Sequence, residues 1–109
     1  MTDWDSAMKE LRREYARTTP AQLDRLAGLV EGLQQNPDDR AALSELHRGF
    51  HTLAGSGAIF GFPEVSRLCR QAEDECATLG DEPRSGSADL GRLKGVIDAV
   101  REQLVGHVE

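Results

Sequence analysis

The stretch Leu46–Phe62, LHRGFHTLAGSGAIFGF, decides how this chain is read. It sets His47 and His51 one helical turn apart, then gives way to glycines and small residues. Leu43, Leu46, Phe50 and Leu53 recur at helical spacing, so the segment before the glycines reads as a helix with one apolar stripe. On a wheel of about 100° per residue, His51 falls about 130° round from the centre of that stripe, toward water. Ser44, His47, Arg48, Gly55 and Ala58 share its sector. Gly55 carries no side chain, and Ala54 and Ala58 carry little more, so a bare shelf lies beside the imidazole. Gly55 and Gly57 each cost a helix about 1 kcal/mol relative to alanine. Close approach of another protein surface to His51 is one reason to keep them, and tight packing on a neighbouring helix is the other.

Working outward, every segment reads as helix. Trp4, Ala7, Met8, Leu11 and Tyr15 predict a short first helix over about Asp3 to Arg17 that covers the bundle. Thr19-Pro20 reads as an N-cap followed by proline at the first helical position. Leu23, Leu26, Ala27, Val30 and Leu33 stripe the helix behind it. Asn36-Pro37 ends that helix, and Asp38 or Asp39 can cap the next. Gly61 punctuates, and Pro63 opens a helix striped by Val65, Leu68, Ala72, Cys76 and Leu79. Gly80 reads as its C-cap, and Asp81 to Ser87 as a loop. Leu90, Leu93, Ile97, Val100 and Leu104 stripe a last helix, in which Gly91 and Gly95 suggest close packing. Single-striped helices with short connections predict an all-α fold, an antiparallel four-helix bundle with an additional short N-terminal helix. Residues 1–109 form one domain.

Composition narrows the function classes. The chain has 109 residues, 39% of them hydrophobic and 29% charged, with a formal net charge of −6. No basic block marks a nucleic-acid partner, and no apolar run reaches membrane-spanning length. The N-terminus is charged from the start, unlike a signal peptide, so the expected location is cytoplasmic. Cys69 and Cys76, two turns apart on one helix, are about 10 Å apart, too far for a disulfide, and read as small core residues.

A second helix supplies the partner for His51. The turn centres near Gly61-Phe62, and counting outward from it puts His51 and Glu73 at the same height of an antiparallel hairpin. Both are displaced from their apolar stripes in the same rotational sense, which brings them to the same side of the pair. Glu73 can then accept a hydrogen bond from Nδ1–H of His51 and leave Nε2 free as the nucleophile. Arg70, one turn earlier, can supply positive charge. An exposed imidazole on a rigid helix is a competent nucleophile toward a phosphoryl group, and phosphoryl transfer needs mainly positioning and charge.

These residues resemble a known family. HTLAGSGAIFGF resembles the phosphorylation-site motif of histidine-containing phosphotransfer (HPt) domains, His-x-x-Lys-Gly-Ser/Gly followed by Phe-Gly or Leu-Gly. It is especially similar to the phosphotransfer domain of chemotaxis-type histidine kinases. The resemblance runs by motif over about Leu43 to Leu79. It implies that His51 is the phosphoacceptor in a two-component phosphorelay, and that Glu73 orients the ring. It implies partners that are response-regulator receiver domains, sensor histidine kinases or both. Ala54 stands where the family carries lysine, a residue that neutralises the incoming phosphate. Arg70 or Arg48 are the available substitutes.

The expected function is therefore a phosphohistidine carrier rather than an autonomous kinase, with no cofactor and no metal. His47, Arg48, Ala54, Gly55 and Ala58 form the expected receiver-docking surface. His47 and His51 at i, i+4 have metal-ligand spacing but no evident third ligand. The alternative reading rests on Ala54: an HPt-like module that docks a receiver or dimerises without accepting phosphate.

Overall fold

A computed structural model describes residues 3–81 and 87–107. It contains four helices, α1 (Asp3–Gln35), α2 (Arg40–Ile59), α3 (Pro63–Asp81) and α4 (Ser87–Val105). Each packs on its neighbour in the chain, and α4 returns to pack on α1, so the four enclose one core. Phe50, Leu23, Leu46, Leu53, Leu93 and Ile97 are among its largest fully buried side chains.

The four-helix bundle is as expected, but the short N-terminal helix is not a separate element. Pro20 lies inside a continuous α1 of 33 residues. Proline removes the N–H that would reach the carbonyl of Ala16. Packing holds the helix together across that gap. Ala16, Thr19, Leu23, Leu26, Val30 and Leu33 are all buried and follow the 3–4 helical alternation without interruption. Thr19, read as an N-cap, is one rung of that stripe.

The length of α1 has a second consequence. At about 1.5 Å per residue its 33 residues span about 50 Å, against about 30 Å for each of the other helices. The molecule accordingly measures 53 × 20 × 20 Å. The first buried residue of α1 is Tyr15, and Trp4 is 74% exposed. The expectation that Trp4 and Met8 cover the bundle is therefore corrected. The start of α1 overhangs it, with Trp4 exposed and Met8 half-buried.

The joints that fix the site follow local rules. Asp39 is extended, with φ −76° and ψ 90°, and its carboxylate accepts from the Ala42 amide at 3.1 Å, capping α2. At the other end Gly61 takes φ +82°. The Phe62 amide donates back to the Gly57 carbonyl at 2.8 Å, the 6→1 bond of a Schellman motif, with glycine at the left-handed position. Phe62 then tucks under Tyr15, their ring centroids 5.4 Å apart, and Pro63 opens α3. Asp81 and Ser87, the ends of the expected loop, are helical, and its middle lies outside the described residues.

Three glycines behave differently from expectation. Gly80 sits inside α3 rather than capping it in the left-handed conformation. Gly91 and Gly95 face open space, so close packing does not explain them.

Candidate functional site

The site is built by the α2–α3 hairpin. Gly57 lets the two helices meet at its base, where an added Cβ would lie 3.0 Å from Val65 Cγ1 and 3.1 Å from the Ser66 amide nitrogen. That contact and the tight Gly61 turn set the register farther along. His51 and Glu73 come level, with His51 Nδ1 2.7 Å from Glu73 Oε2. The imidazole is 72% exposed and Glu73 22% exposed. A carboxylate accepts only, so Nδ1–H is the donor and, in the neutral ring, Nε2 keeps its lone pair. The ring is thus held at one nitrogen and open at the other.

His47, one turn before His51, reaches the same carboxylate. Its Nε2 lies 3.9 Å from Glu73 Oε2, the oxygen that His51 also faces. The wheel gave His47 only a place on a docking surface. Its spacing of four residues from His51 was the signal that both rings could meet one partner.

The residues expected to form a docking surface are not all on the surface. Gly55 and Ala58 are exposed, and nothing lies within 4 Å of where a Gly55 Cβ would be. Ala54 does not belong to this surface: it is 4% exposed and part of the core. It sits on the flank of α2 that turns toward α3, so its small side chain fills the interface instead of baring the shelf. Arg48 is exposed and borders a groove between α1 and α2 with Gln22, Arg25 and Leu29. Arg70 is exposed beside a shallow depression lined by Ala58, Pro63, Ser66 and Arg67. Arg67 is engaged by Glu64. Among the described residues no hydrogen bond or ion pair joins Arg70 or Arg48 to His51.

One side chain of the motif went unread in the sequence. Ser56 shares a 2.9 Å hydrogen bond with the Tyr15 hydroxyl, and Tyr15 stacks on Phe60 at 5.1 Å between ring centroids. The glycine-rich end of α2 is thereby tied to α1. Burial raises the Tyr15 phenol above its ordinary titration range, against the hydrogen bond with Ser56.

Behind Glu73 the interior of α3 is apolar. Cys69 and Cys76 are both free and buried. Burial pushes each thiol up to about 12, reinforced by the negative charge of Glu73 at Cys69 and of Glu75 and Glu73 at Cys76. Buried thiols held protonated in this way are poor nucleophiles at neutral pH. Among the described residues no cluster of three or more His, Cys, Asp or Glu side chains is arranged to hold a metal ion. No described helix is long and apolar enough to cross a membrane.

A four-helix bundle is the architecture of the phosphotransfer domains of two-component signalling, and here it carries an exposed imidazole. The chain belongs to the Hpt domain family, whose profile matches residues 10–103. The Chemotaxis protein CheA of Treponema pallidum (strain Nichols) is 29% identical over 75 residues, which are 68% of this chain and 9% of that protein. The chain thus spans less than a tenth of the length of that relative. No solved structure matches at comparable significance.

Proposed function

We propose that His51 is the phosphoacceptor of a phosphorelay. Its Nε2 takes a phosphoryl group from a receiver phospho-aspartate or from ATP in a kinase active site, and passes it to a receiver aspartate. The observation that carries this reading is the 2.7 Å contact between His51 Nδ1 and Glu73 Oε2 on a ring that is otherwise exposed.

The step balances without a proton acceptor. The Nε2 lone pair forms the N–P bond, and the P–O bond to the donor breaks with its electron pair leaving on the donor carboxylate or on ADP. Nδ1 keeps its proton throughout. The ring gains positive charge as the N–P bond forms, and Glu73 lies where it stabilises that charge. In the return step a receiver carboxylate oxygen attacks phosphorus, and the N–P pair goes back to Nε2. The metal and most of the phosphate-binding charge come from the partner, since Ala54 supplies none. Gly55 and Ala58 leave room for the partner's cleft to close over the ring, with Arg48 and Arg70 as cations at the margins.

Incubation with phosphoramidate, a small-molecule phosphodonor, should place acid-labile phosphate on the wild-type chain and none on His51→Gln. Equal labelling of the two would overturn the assignment. The second reading, a docking module that does not accept phosphate, is favoured by Ala54. It predicts no phosphate on either protein from a phosphorylated receiver or from a kinase.

A further inference from the structure

Positive charge gathers at the end of the bundle beyond the α2–α3 turn, away from His51. Lys9, Arg12 and Arg13 of the α1 overhang, with Gly106 and His107 after α4, line a notch of about 290 Å³. No carboxylate lines it, although the chain has 19 acidic residues against 13 lysines and arginines. Lys9 stands at i,i+3 to Arg12 and i,i+4 to Arg13, and like charges at such spacing destabilise a helix. Glu10 offsets Arg13 alone. We propose that this notch is a binding site for a phosphate group, free or carried by a small phosphate ester. The site is separate from His51: Gly61, which packs beside Arg12, lies about 15 Å farther along the chain's helical path.

Arg12 is the centre of the site. It is half-buried, and its Cδ and Nε lie 3.6 Å from where a Gly61 Cβ would be. Its guanidinium carbon is 5.7 Å from the centroid of the Phe62 ring. Phe62 is buried and stacks on Tyr15, so the arginine lies against a fixed platform. His107 meets the same ring edge-on, with centroids 4.9 Å apart. Arg12 Nε is shielded from water and has no hydrogen-bond partner among the described residues. A shielded donor without a partner costs free energy and calls for a reason. No ion pair among the described residues engages Arg12 or Lys9.

An anion in the notch supplies that reason. A guanidinium held by its stem has already given up rotamer freedom that binding would otherwise cost. Its planar fork matches two oxygens of a phosphate group. Lys9 brings a second charge with no fixed direction, so the two together suit a dianion better than a single carboxylate. Arg13, held by Glu10, and His107 stand at the rim. The notch is larger than a bare phosphate and leaves room for the organic part of an ester.

The test follows the arginine Nε–H and backbone amide signals of the whole chain by NMR, at neutral pH and constant ionic strength, as inorganic phosphate, glycerol phosphate or acetate is added. Either phosphate should shift Arg12 Nε–H and the Gly106 and His107 amides along one saturable curve. Tighter binding of glycerol phosphate would assign the site to an ester, and equal affinities to free phosphate. Acetate should bind more weakly than both. Arg12→Gln should weaken phosphate binding about tenfold, Arg12→Lys less, and Lys9→Gln, at an exposed position, about fivefold. Wild-type shifts that rise linearly, or that are matched at Arg48 and Arg70, would mark an adventitious ion only and overturn the site. Affinity unchanged in both Arg12→Gln and Lys9→Gln would overturn it as well. So would binding that emerges only once Val108 and Glu109 are removed, since the notch would then serve the chain's own end.

Discussion

At the scale of single residues the site depends on what holds Nδ1. In Glu73→Gln the amide keeps the shape of the side chain but loses the charge, and it can turn either its oxygen or its NH₂ toward the ring. A hydrogen bond to a charged group contributes about 1.5–3 kcal/mol when sheltered, and the low end suits so exposed a ring. Phosphoramidate labelling of Glu73→Gln should therefore slow about tenfold. Its melting temperature should stay near wild type, because surface ion pairs contribute at most about 1 kcal/mol. A large loss of stability with an unchanged labelling rate would assign Glu73 a structural role. The pairing of these two residues was legible in the sequence, since it needs only a count from the turn and the rotational sense of two helices. Ala54 was misread because smallness was taken for exposure. The residue lies on the α3 side of His51, where an alanine is a packing residue. The proximity of His47 to Glu73 needed a side-chain distance, which no wheel supplies.

At the scale of elements, the two glycines that flank Ser56 have opposite duties. Gly57 is required by the close approach of α3, where a new methyl would meet Val65 and the backbone of Ser66. Gly57→Ala should cost about 1–3 kcal/mol in chemical denaturation, the usual range for overpacking a fitted contact. Gly55 meets nothing, and Gly55→Ala should add up to about 1 kcal/mol of helix stability. A Gly55→Ala chain that is more stable yet accepts phosphate more slowly from a receiver, but not from phosphoramidate, would locate the partner's contact on that shelf. The helix-propensity argument grouped the two residues because both lack side chains; their angular positions differ by about 160°. The break expected at Thr19-Pro20 failed for a related reason. A cap signal and a proline are local, whereas the buried rungs on either side of Pro20 continue one stripe. The turn signals at Asp39, Gly61 and Pro63 held because there the apolar stripes end as well.

At the scale of the whole molecule, the core lies where four helices overlap, and α1 outruns it. Trp4 to Met8 bury little, so removing the chain up to Met8 should change the unfolding free energy by less than about 1 kcal/mol, the range for changes away from the core. Circular dichroism melts of the shortened chain would check this. Within the overlap, stability should depend on alkaline pH through α3. Cys69 and Cys76 titrate at about 12 in the folded chain, whereas an unfolded thiol loses its proton near about 8.5. Between those values the folded state holds protons that the unfolded state has released, so unfolding gains free energy as pH rises. The contribution of the two thiols is fully present below the unfolded value. Above it, each thiol removes about 1.4 kcal/mol of stability per pH unit until the folded value is reached. Tyr15, also shifted upward, adds in the same direction. Urea midpoints should therefore be flat between about pH 7 and 8 and fall by pH 10. A Cys69→Ala, Cys76→Ala double variant, lower in stability throughout for lost packing, should show a much shallower alkaline decline. An equally steep decline in that variant would move the cause elsewhere, away from the apolar interior behind Glu73.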